Sequence, residues 1–518
     1  MSEQTPNAPD DLPEQMRVRR EKLDRLRAEG IDPYPPGFPR TSTIAAVRAA
    51  HPELAPDTFT GDRVGVTGRV MLSRIGGKLC FATIRDGSGD LQVMLSLDKL
   101  GDTSLARWKS LVDLGDHVGV EGEVISSKSG ELSVLADSWA LTAKALRPLP
   151  DKHRGLADPE ARVRQRYVDL IVNPAARGMV ATRAAVVRSV RDTLDRYGYL
   201  EVETPTLQSL HGGATARPFR THLNAFDMPM YLRIAIELYL KRLVVGGIER
   251  VYEIGRIFRN EGVDSTHSPE FTMLEAYEAY GDYDTMAALT RDIVLDAAKA
   301  TGSIVVPDGR GGEIDLGAPW RSITVHEAVS QAVGSSVTID TDRQSLMHIA
   351  DQFGVSLQPG WDEGHIVLEL FEKLVEHTIV EPTFVRDYPA SVRPLARPHR
   401  ADPRLVEAWD LIVNGVELAP AYSELVDPIE QRRRLTEQSL LAAGGDPEAM
   451  QLDEDFLRAL EYGAPPMGGL GLGIDRLVML LTGASIRETI LFPLVRPETV
   501  VAPAASQLAA AVPPPTVE

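Results

Sequence analysis

Five short runs of alternating apolar residues follow one another between residues 62 and 142, and this arrangement restricts the possible fold more than any other feature of the chain. Each run is too short for a helix and is separated from the next by turn residues, so each predicts a β-strand with one buried face. The alternating positions are Val64, Val66, Val70 and Leu72; Cys80, Ala82 and Ile84; Leu91, Val93 and Leu95; Val118, Val120 and Val124; and Leu132 and Val134. Strands of this number and length predict a small barrel of the Greek-key type, such as the OB-fold.

The polar face of this predicted barrel carries an aromatic ring among cationic and amide groups. Arg69 on the first strand, Phe81 and Arg85 on the second, and Gln92 on the third have the parity opposite to the apolar positions. An aromatic side chain in such surroundings on a solvated sheet is typical of a platform that stacks a nucleic-acid base. The alternative is that Phe81 packs under a loop or against a neighbouring domain.

Length, charge and cysteine content limit the classes of protein to which the chain can belong. Its 518 residues exceed what one hydrophobic core usually serves, so several domains are expected. The formal net charge of −19 means that nucleic acid could be contacted only through a local basic patch. The single cysteine, Cys80, excludes an intramolecular disulfide and a cysteine-rich zinc site. The first residues do not resemble a signal peptide and no apolar run is long enough to span a membrane, so a cytoplasmic enzyme is expected.

Outside the barrel, changes in periodicity divide the chain. Residues 16–29 predict a helix with a basic surplus, and this helix either presents a solvated face or contacts RNA. Residues 143–160 mix proline with basic residues and predict a linker. From there to residue 497, strands alternate with helices such as 181–197 and 284–300, which indicates an α+β domain.

The segment 251–280 (VYEIGRIFRNEGVDSTHSPEFTMLEAYEAY) predicts two strands joined by a loop. Alternation places Phe271, Met273, Glu275 and Tyr277 on one side of the second strand. Further charged residues are Glu253 and Arg259 on one side of the first strand and Glu261, His267 and Glu270 in the loop. Charged side chains in a core sheet cost free energy unless they are paired or meet a ligand. The segment is therefore either a ligand site or a buried Arg–Glu pair that serves stability alone.

Asn414-Gly415 between two apolar runs predicts a β-hairpin with a two-residue type I′ turn. The predicted register places Val413 opposite Val416, Ile412 opposite Glu417, and Asp410 opposite Ala419. Asp410 and Glu417 would then be diagonal neighbours on one face, and two such carboxylates suit Mg2+ that is shared with substrate phosphates. The alternative is a solvated edge hairpin whose acids never meet.

Two further features of the carboxyl-terminal part are less specific. Glu424 falls on the opposite parity of the hairpin strand unless a bulge intervenes, and Pro420 is the expected position of such a bulge. Closely spaced glycines at 468–473 predict a loop before an apolar helix that begins near Asp475, with Arg476 in its first turn. Arg476 could lie over a base or near a phosphate, but the glycine spacing is not that of a GxGxxG fingerprint.

In their order along the chain, these segments resemble the signature motifs of class II aminoacyl-tRNA synthetases. YGYLEVETP, which ends at Pro205, resembles the dimer-forming first motif; FRNEG with HSPEFTMLE resembles the second; and GLGIDR resembles the third. RVRQRYVDLI, HGGATARPF, YLRIAIELYLKRLVVGG and YSEL are similar to stretches of lysyl-tRNA synthetases in particular. The chain is therefore identified as a member of that family over residues 14–497.

The resemblance implies an α+β fold in which an N-terminal OB-fold barrel precedes a class II synthetase catalytic domain, built on an antiparallel sheet with flanking helices. The expected division is a disordered 1–13, a helical extension 14–60, an anticodon-binding barrel 61–145, a linker 146–165, a catalytic domain 166–498 and a disordered tail 499–518. The implied substrates are ATP, L-lysine and tRNA(Lys), with Mg2+ as the cofactor and a homodimer through the motif near Pro205.

The same resemblance, carried over residue by residue, implies four groups of site residues. The ATP-binding residues are Arg259, Glu261, His267, Phe271 and Arg476, of which Arg259 and Arg476 are also the catalytic residues. The lysine-binding residues are Gly213, Glu237, Arg259, Glu275, Tyr277, Tyr422 and Glu424. The metal ligands are Asp410 and Glu417. The anticodon-binding residues are Arg69, Arg74, Phe81 and Gln92.

At four positions the chain departs from the common pattern of the family. Ile236 replaces a proline, Ser268 an asparagine, Asp410 a glutamate, and Pro420 an asparagine whose amide helps to hold the substrate carboxylate. Proline cannot donate that hydrogen bond. Two alternatives to a working synthetase are a specialised paralogue with altered substrate, efficiency or inhibitor sensitivity, and a catalytically silent RNA-binding relative. Retention of the costly charged residues of the motifs argues against the silent relative.

Overall fold

The computed structural model describes residues 12–150, 155–264, 266–443 and 450–496. The disorder expected over residues 1–13 and 499–518 therefore falls, except for residues 12 and 13, outside the described residues. The chain divides into two compact units, Met1–Ala157 and Asp158–Glu518. Each unit has a hydrophobic core of its own.

The first unit contains the closed five-stranded barrel that the alternating runs predict. Its strands are β1 (Phe59–Ile75), β2 (Leu79–Arg85), β3 (Asp90–Ser96), β4 (His117–Ser126) and β5 (Leu132–Ala143), and α3 (Leu97–Leu111) connects β3 to β4. Around the barrel the order is β1-β2-β3-β5-β4. Strand pairs are antiparallel except for β3 with β5. This arrangement confirms the predicted OB-fold.

A bulge in β1 changes which side chains reach the outer face of the barrel. The register between β1 and β2 shifts between Val70 and Leu72, so Leu72 lies opposite Thr83 and is only half-buried, although its parity predicted the core. Beyond the bulge, Arg74 lies opposite Phe81. Without the shift, Arg74 would have the parity of the buried valines, so the bulge places this cation on the outer face.

Two helices, α1 (Glu14–Ala28) and α2 (Ile44–Ala50), precede the barrel. Arg19 on α1 donates hydrogen bonds to the carbonyls of Ala145 (2.9 Å) and Leu114 (2.8 Å). Lys22, also on α1, forms a 2.6 Å ion pair with Asp113. Two of the basic side chains of α1 therefore bind groups of the same unit.

The second unit is a mixture of helices and strands. Its helices are α4 (Pro159–Arg164), α5 (Arg166–Val172), α6 (Pro174–Arg196), α7 (Glu237–Val245), α8 (Tyr283–Ala300), α9 (Val325–Val333), α10 (Arg343–Gln352), α11 (Glu363–Leu374), α12 (Pro428–Ala443), α13 (Glu454–Glu461), α14 (Ile474–Thr482) and α15 (Ile486–Thr489). Its strands are β6 (Leu200–Glu201), β7 (Leu207–Gln208), β8 (Arg220–Leu223), β9 (Met228–Leu232), β10 (Arg250–Phe258), β11 (Glu270–Ala279), β12 (Val305–Pro307), β13 (Glu313–Asp315), β14 (Arg321–Thr324), β15 (Thr383–Arg386), β16 (Ala408–Val413), β17 (Val416–Ser423) and β18 (Met467–Gly473). None of the described helices has the length and apolar character needed to cross a bilayer.

The linker expected over residues 146–165 is shorter than predicted, because α4 lies inside it. The Asp158 side chain accepts a hydrogen bond from the backbone N–H of Glu160 (3.0 Å), and Pro159 occupies the first turn of the helix. An aspartate followed by proline is a strong signal for a helix start, and it outweighs the lack of periodicity in this segment.

An eight-stranded sheet forms the centre of the second unit, in the order β14-β15-β16-β17-β18-β11-β10-β6. The six strands from β15 to β10 pair antiparallel, as the resemblance predicted, and the edge pairs β14–β15 and β10–β6 are parallel. Leu274 and Ala276 of β11 and Ala421 of β17 pack with residues of α6 and α8 in the main core. The alternate residues, such as Glu275 and Tyr277, point to the opposite face, where a cavity opens.

Candidate functional site

A cavity of about 310 Å³, called here the main cavity, opens on the polar face of the central sheet. Strands β11, β17 and β18 form its floor, and α7 and the segment 392–395 contribute to its walls. The residues predicted to bind lysine all border it: Gly213, Glu237, Arg259, Glu275, Tyr277, Tyr422 and Glu424. The predicted metal ligands Asp410 and Glu417 border it as well.

The glycine-rich stretch before α14 is a strand rather than the loop that the sequence predicted. Residues 467–473 form β18, which pairs with β11 and β17 in the middle of the sheet. A Cβ atom at Gly469 would overlap Glu424 Oε1, and one at Gly471 would lie 2.7 Å from Met273 Cε. The glycines are therefore required because β18 forms a floor without side chains beneath the main cavity.

Glu275 projects from β11 into the main cavity and is 3% exposed. It accepts hydrogen bonds from the backbone N–H of Ile236 (2.8 Å) and from the Tyr277 hydroxyl (3.2 Å). Burial and then the nearby Glu237 raise the pKa of Glu275 to about 7. The bond from Ile236 depends on one of the departures noted above, because a proline at this position would have no N–H to donate.

Lys241 of α7 lies between the carboxylates of Glu237 and Glu424, which border the main cavity together with Glu275. Its Nζ lies 2.5 Å from Glu237 Oε1 and also forms an ion pair with Glu424. Burial raises the pKa of Glu424 to about 8, against the opposing effect of Lys241. Burial lowers the pKa of Lys241, but the two carboxylates outweigh this effect and raise it. Of the three buried carboxyl groups here, Glu237, Glu275 and Glu424, the Lys241 ammonium pairs with Glu237 and Glu424. We call this region the acidic end.

The hairpin forms as predicted at its turn. Asn414 and Gly415 have φ values of 53° and 72°, as a type I′ turn requires. Val413 lies opposite Val416, and Ile412 lies opposite Glu417.

The bulge of this hairpin lies at Leu418, so its predicted position at Pro420 was wrong. Leu411 pairs with Ala419, and Asp410 therefore lies opposite Pro420 rather than opposite Ala419. The extra residue nevertheless reverses the alternation, so that Glu424 lies on the same side of the strand as Glu417, as expected from a bulge. The residues of this strand region that border the main cavity are Glu417, Pro420, Tyr422 and Glu424.

The carboxylates of Asp410 and Glu417, the predicted ligands of a divalent cation, differ in their surroundings. Asp410 is buried, and its Oδ2 accepts a 2.6 Å hydrogen bond from Arg393, whereas its Oδ1 has no hydrogen-bond partner among the described residues. Glu417 is partly exposed, with Oε1 3.7 Å from Arg476. Glu376 lies close enough that burial and then Glu417 raise its pKa to about 7.

This concentration of carboxylate oxygens, with one buried acceptor unpaired, fits the ligand preference of Mg2+. No cluster of three or more histidine, cysteine or acidic residues that could hold a metal is found in the described part of the chain. Substrate phosphates would therefore have to complete the coordination of a cation at Asp410 and Glu417.

A second cavity, of about 210 Å³, adjoins the main cavity, and Arg259, Met273, Glu417 and Pro420 border both. The predicted ATP-binding residues all border it: Arg259, Glu261, His267, Phe271 and Arg476. The Arg259 guanidinium lies 5.2 Å from the centre of the Phe271 ring. Arg476 donates a 2.6 Å hydrogen bond to the Glu417 carbonyl. Burial lowers the pKa of Arg259, partly offset by Glu261, and a guanidinium still carries its charge at neutral pH.

The buried Arg–Glu pair considered for segment 251–280 exists, but it does not involve Arg259. Glu253 forms a 2.6 Å ion pair with Arg233 and accepts a 2.7 Å hydrogen bond from the Thr204 hydroxyl. No carboxylate within the described ranges forms an ion pair with Arg259. Glu253 therefore serves the structure, whereas Arg259 faces the two cavities.

A separate ion pair fixes the helix that carries Arg476. Asp475 at the start of α14 is buried, and its Oδ1 lies 2.6 Å from Arg183 Nη1 of α6. Its Oδ2 accepts a 2.7 Å hydrogen bond from the backbone N–H of Thr272 on β11. Asp475 thereby joins α14 to β11 and holds Arg476 at the edge of the second cavity.

The outer face of the barrel brings Phe81 and Arg74 together, as described above. Gln92 donates a 2.9 Å hydrogen bond to the Ser133 hydroxyl. Arg69 lies further along β1, where it donates to the Gly115 carbonyl (2.8 Å). Arg74 is the exposed cation opposite the half-buried Phe81, so these two residues form the centre of the predicted base-binding face.

Sequence reasoning missed three charged residues of the site: Lys241, Glu376 and Arg393. Lys241 could have been found, because it follows Glu237 by four residues, a spacing at which opposite charges pair along one face of a helix. Glu376 and Arg393 stand in segments that carried no motif, and only the packing of α11 and its following turns against the hairpin brings them near Asp410.

Comparison with known proteins gives two family matches and a set of near full-length relatives. Residues 158–496 match the family described as tRNA synthetases class II (D, K and N), and residues 53–142 match the OB-fold nucleic acid binding domain. A lysine–tRNA ligase of Mycolicibacterium gilvum is 57% identical over 496 residues, covering 95% of this chain and 99% of the relative. Lysine–tRNA ligase 1 of Mycobacterium tuberculosis (strain ATCC 25618 / H37Rv) is 55% identical over 498 residues, covering 95% and 98%. The lysylphosphatidylglycerol biosynthesis bifunctional protein LysX of Nocardia farcinica is 55% identical over 490 residues, which are 94% of this chain but 43% of that protein.

Proposed function

Because this chain belongs to the lysine–tRNA ligase family of the class II tRNA synthetases, we propose that it activates L-lysine with ATP and transfers it to the 3′ end of tRNA(Lys). The family matches and the near full-length relatives favour this activity over a specialised paralogue or a silent RNA-binding relative. The cytoplasm, where tRNA is charged, remains the predicted location.

The acidic end of the main cavity is the observation that supports lysine as the amino acid. Glu237, Glu275 and Glu424 are each at most 6% exposed, and the resident ammonium of Lys241 pairs with Glu237 and Glu424. Buried carboxylates are tolerated only when cations compensate their charge. L-Lysine brings two ammonium groups, whereas a neutral amino acid would leave part of this charge unpaired. We assign the α-ammonium to Glu237 with the backbone near Gly213, and the side-chain ammonium to Glu275, Tyr277 and Glu424.

The second cavity supports ATP as the other substrate. Phe271 offers a flat apolar face, and two cations border the same cavity: Arg259, which also borders the main cavity, and Arg476. We assign adenine to the Phe271 face, with Glu261 and His267 holding the rest of the nucleotide, and the α-phosphate to Arg259. The α-phosphate would then lie between the lysine carboxylate and the departing pyrophosphate.

The activation step that this arrangement can perform needs no general base. The lysine carboxylate is already ionised, so its oxygen attacks the α-phosphorus, a P–O bond forms, and the bond to pyrophosphate breaks. Catalysis then consists of positioning and of neutralising charge on the phosphate, for which Arg259 is placed. Mg2+, held by Asp410 and Glu417, would neutralise phosphate charge when bound. In the second step a ribose hydroxyl of the tRNA attacks the carbonyl carbon, the ester forms, the bond from that carbon to the phosphate oxygen breaks, and AMP leaves with its phosphate accepting the hydroxyl proton.

Two further parts of the proposal concern partners. The Phe81 face of the barrel is assigned to the anticodon. The motif that ends at Pro205 is assigned to a homodimer, because Leu200, Leu207 and Leu210 around it are 54%, 48% and 41% exposed.

Amino-acid-dependent exchange of pyrophosphate into ATP, measured with all twenty amino acids, tests the function. We expect exchange with L-lysine alone, and charging of lysine tRNA in the same preparation. Exchange with another amino acid would favour the specialised paralogue, and its absence with every amino acid would favour the silent relative.

Replacing Phe81 by alanine is expected to lower kcat/KM for tRNA charging by about ten- to one-hundredfold, because stacking on one base contributes about 1–3 kcal/mol. Lysine-dependent pyrophosphate exchange should remain within about twofold, since that reaction does not involve the barrel. Phe59→Ala, at an exposed phenylalanine of the same barrel, serves as the control and should change neither rate. A parallel loss of both activities in Phe81→Ala would make Phe81 a residue of the core.

The affinity for lysine is expected to fall as the pH is lowered from 8.5 to 6.5. Burial raises the pKa of Glu275 to about 7 and that of Glu424 to about 8, so both carboxyl groups take up protons over this range. A protonated carboxyl cannot pair with an ammonium, so Kd should rise by about tenfold or more between these limits. Calorimetric titration of L-lysine at several pH values checks this, with ATP titrated in parallel.

Replacing Ile236 by proline sharpens the same test. The substitution removes the N–H that stabilises ionised Glu275, so the fall in lysine affinity should begin at a higher pH than in the parent protein. An unchanged profile in Ile236→Pro would show that Glu275 does not control the titration.

A further inference from the structure

Arg393 is a cation of the main cavity to which the family resemblance assigns no role. Its Nη2 donates a 2.6 Å hydrogen bond to Asp410 Oδ2, and its guanidinium carbon lies 4.6 Å from the centre of the Tyr388 ring. Its Nε is buried and has no hydrogen-bond partner within the described ranges. The guanidinium is therefore fixed from two sides while part of its donor capacity is unused.

The position of Arg393 within the cavity limits what it can bind. Arg393 borders the main cavity together with Pro420 and Tyr422, and Pro420 lies directly opposite Asp410 on the neighbouring strand. Pro420 has neither a backbone N–H nor a polar side chain, so it offers no donor to a ligand at this point of the wall. The cationic side chains that the described residues contribute to the lining are Arg259 and Arg393.

The charges of L-lysine have to match this distribution. Once its two ammonium groups occupy the acidic end, its carboxylate must face the part of the cavity that contains Asp410 and Glu417. Three carboxylates in one partly buried space repel one another strongly unless cations separate them. Arg393 already neutralises Asp410 and has donors to spare, and a guanidinium can bind two carboxylates at once.

We propose that Arg393 binds the α-carboxylate of lysine opposite Arg259, an inference that rests on the proposed function. Arg259 approaches the carboxylate from the nucleotide side, and Arg393 approaches it from the Asp410 side. The carboxylate is thereby held between two guanidinium groups, with an oxygen directed towards the second cavity. Arg393 is a substrate-binding residue in this scheme, and its ion pair with Asp410 orients it.

Arg393→Gln tests this role through two ligands that differ only at the carboxylate. L-Lysine carries the carboxylate, and L-lysinamide keeps both ammonium groups but replaces the carboxylate by a neutral amide. We expect Arg393→Gln to raise the Kd of L-lysine by about ten- to one-hundredfold and that of L-lysinamide by less than about threefold, as measured by calorimetry. Arg397→Gln, an exposed arginine four residues further along the same segment, is the matched control and should change neither value.

Two results for Arg393→Gln would overturn the proposal. Equal losses for both ligands would mean that Arg393 only supports Asp410, and a selective loss of ATP affinity would place Arg393 on a phosphate; either result overturns the proposal. If Arg393→Gln does not fold, Arg393→Lys keeps the charge but loses the planar fork, and the same preference against L-lysine is expected at smaller size. Absence of lysine-dependent exchange in the parent protein would instead refute the proposed function, so the two failures are distinguishable.

Discussion

Glu424→Gln is expected to raise the Kd of L-lysine by about a hundredfold or more, while the Kd of ATP stays within about threefold. Glu424 is 2% exposed and lies where the side-chain ammonium of lysine is assigned, so the variant leaves that ammonium buried without one of its charge partners. Breaking a buried ion pair by removing one partner costs about 3–5 kcal/mol, which corresponds to more than a hundredfold. ATP is assigned to the second cavity, which Glu424 does not border. Equilibrium titrations of each ligand measure the two effects separately.

Glutamine has nearly the volume of glutamate, so the variant tests charge rather than packing. Glu437→Gln, at an exposed residue of α12 that pairs with Arg433, is a suitable control and should leave both affinities unchanged. Equal losses of lysine and ATP affinity in Glu424→Gln would contradict the assignment of the acidic end. A loss confined to ATP would reverse the roles of the two cavities.

The barrel and the central strands could be predicted because their residues alternate strictly. Leu91, Val93 and Leu95 are fully buried, and the intervening Gln92 is not, so the side-chain period of two determined the fold class and the buried face. Where a strand contains a bulge, the same reasoning failed. Parity placed Leu72 in the core, and the shift after Val70 placed it outside, because one extra residue reverses every later side chain.

In the hairpin that borders the main cavity, a bulge again limits what alternation can predict, here at residues of the candidate site. Asn414-Gly415 specified the turn and the first two pairs, since only residues that tolerate positive φ form a type I′ turn. The bulge was placed at Pro420 because proline lacks a donor, yet the extra residue is Leu418. Local sequence indicated that a bulge was needed to bring Glu424 onto the cavity side, but the strand pairing decided its position.

Contacts between distant segments could not be predicted at all. Arg393 meets Asp410 from seventeen positions away, and Arg183 meets Asp475 across 292 positions. No periodicity or motif marks such pairs, because they arise only when the sheet and its flanking helices have packed. The glycines of β18 were misjudged for a related reason. Their purpose is space for Glu424 and Met273, and these neighbours are not adjacent in sequence.

Arg259→Gln is expected to lower the rate of lysine-dependent pyrophosphate exchange by about a thousandfold or more, which is the largest kinetic effect that the site predicts. Arg259 borders both cavities and is the cation assigned to the α-phosphate, where negative charge accumulates as the carboxylate attacks. Removing one pre-positioned donor to such charge costs about a hundred- to a thousandfold in rate, and loss of an arginine that neutralises a reacting phosphoryl group costs more. Since the interaction is strongest in the transition state, kcat should fall further than the affinity for either substrate.

Two variants, Arg259→Lys and Arg256→Gln, distinguish this role of Arg259 from a simple requirement for positive charge. Arg259→Lys keeps a positive charge but not the planar fork that binds two oxygens and stacks on Phe271, so it should recover little of the lost rate. Arg256→Gln, at an exposed arginine three residues earlier that pairs only weakly with Glu270 at 3.6 Å, should exchange at the parent rate. If Arg259→Gln weakened lysine and ATP binding in proportion to its loss of rate, Arg259 would act as a general anchor for the substrates. Stabilisation of the transition state would then have to come from Arg476, which borders the second cavity, or from a cation bound at Asp410 and Glu417.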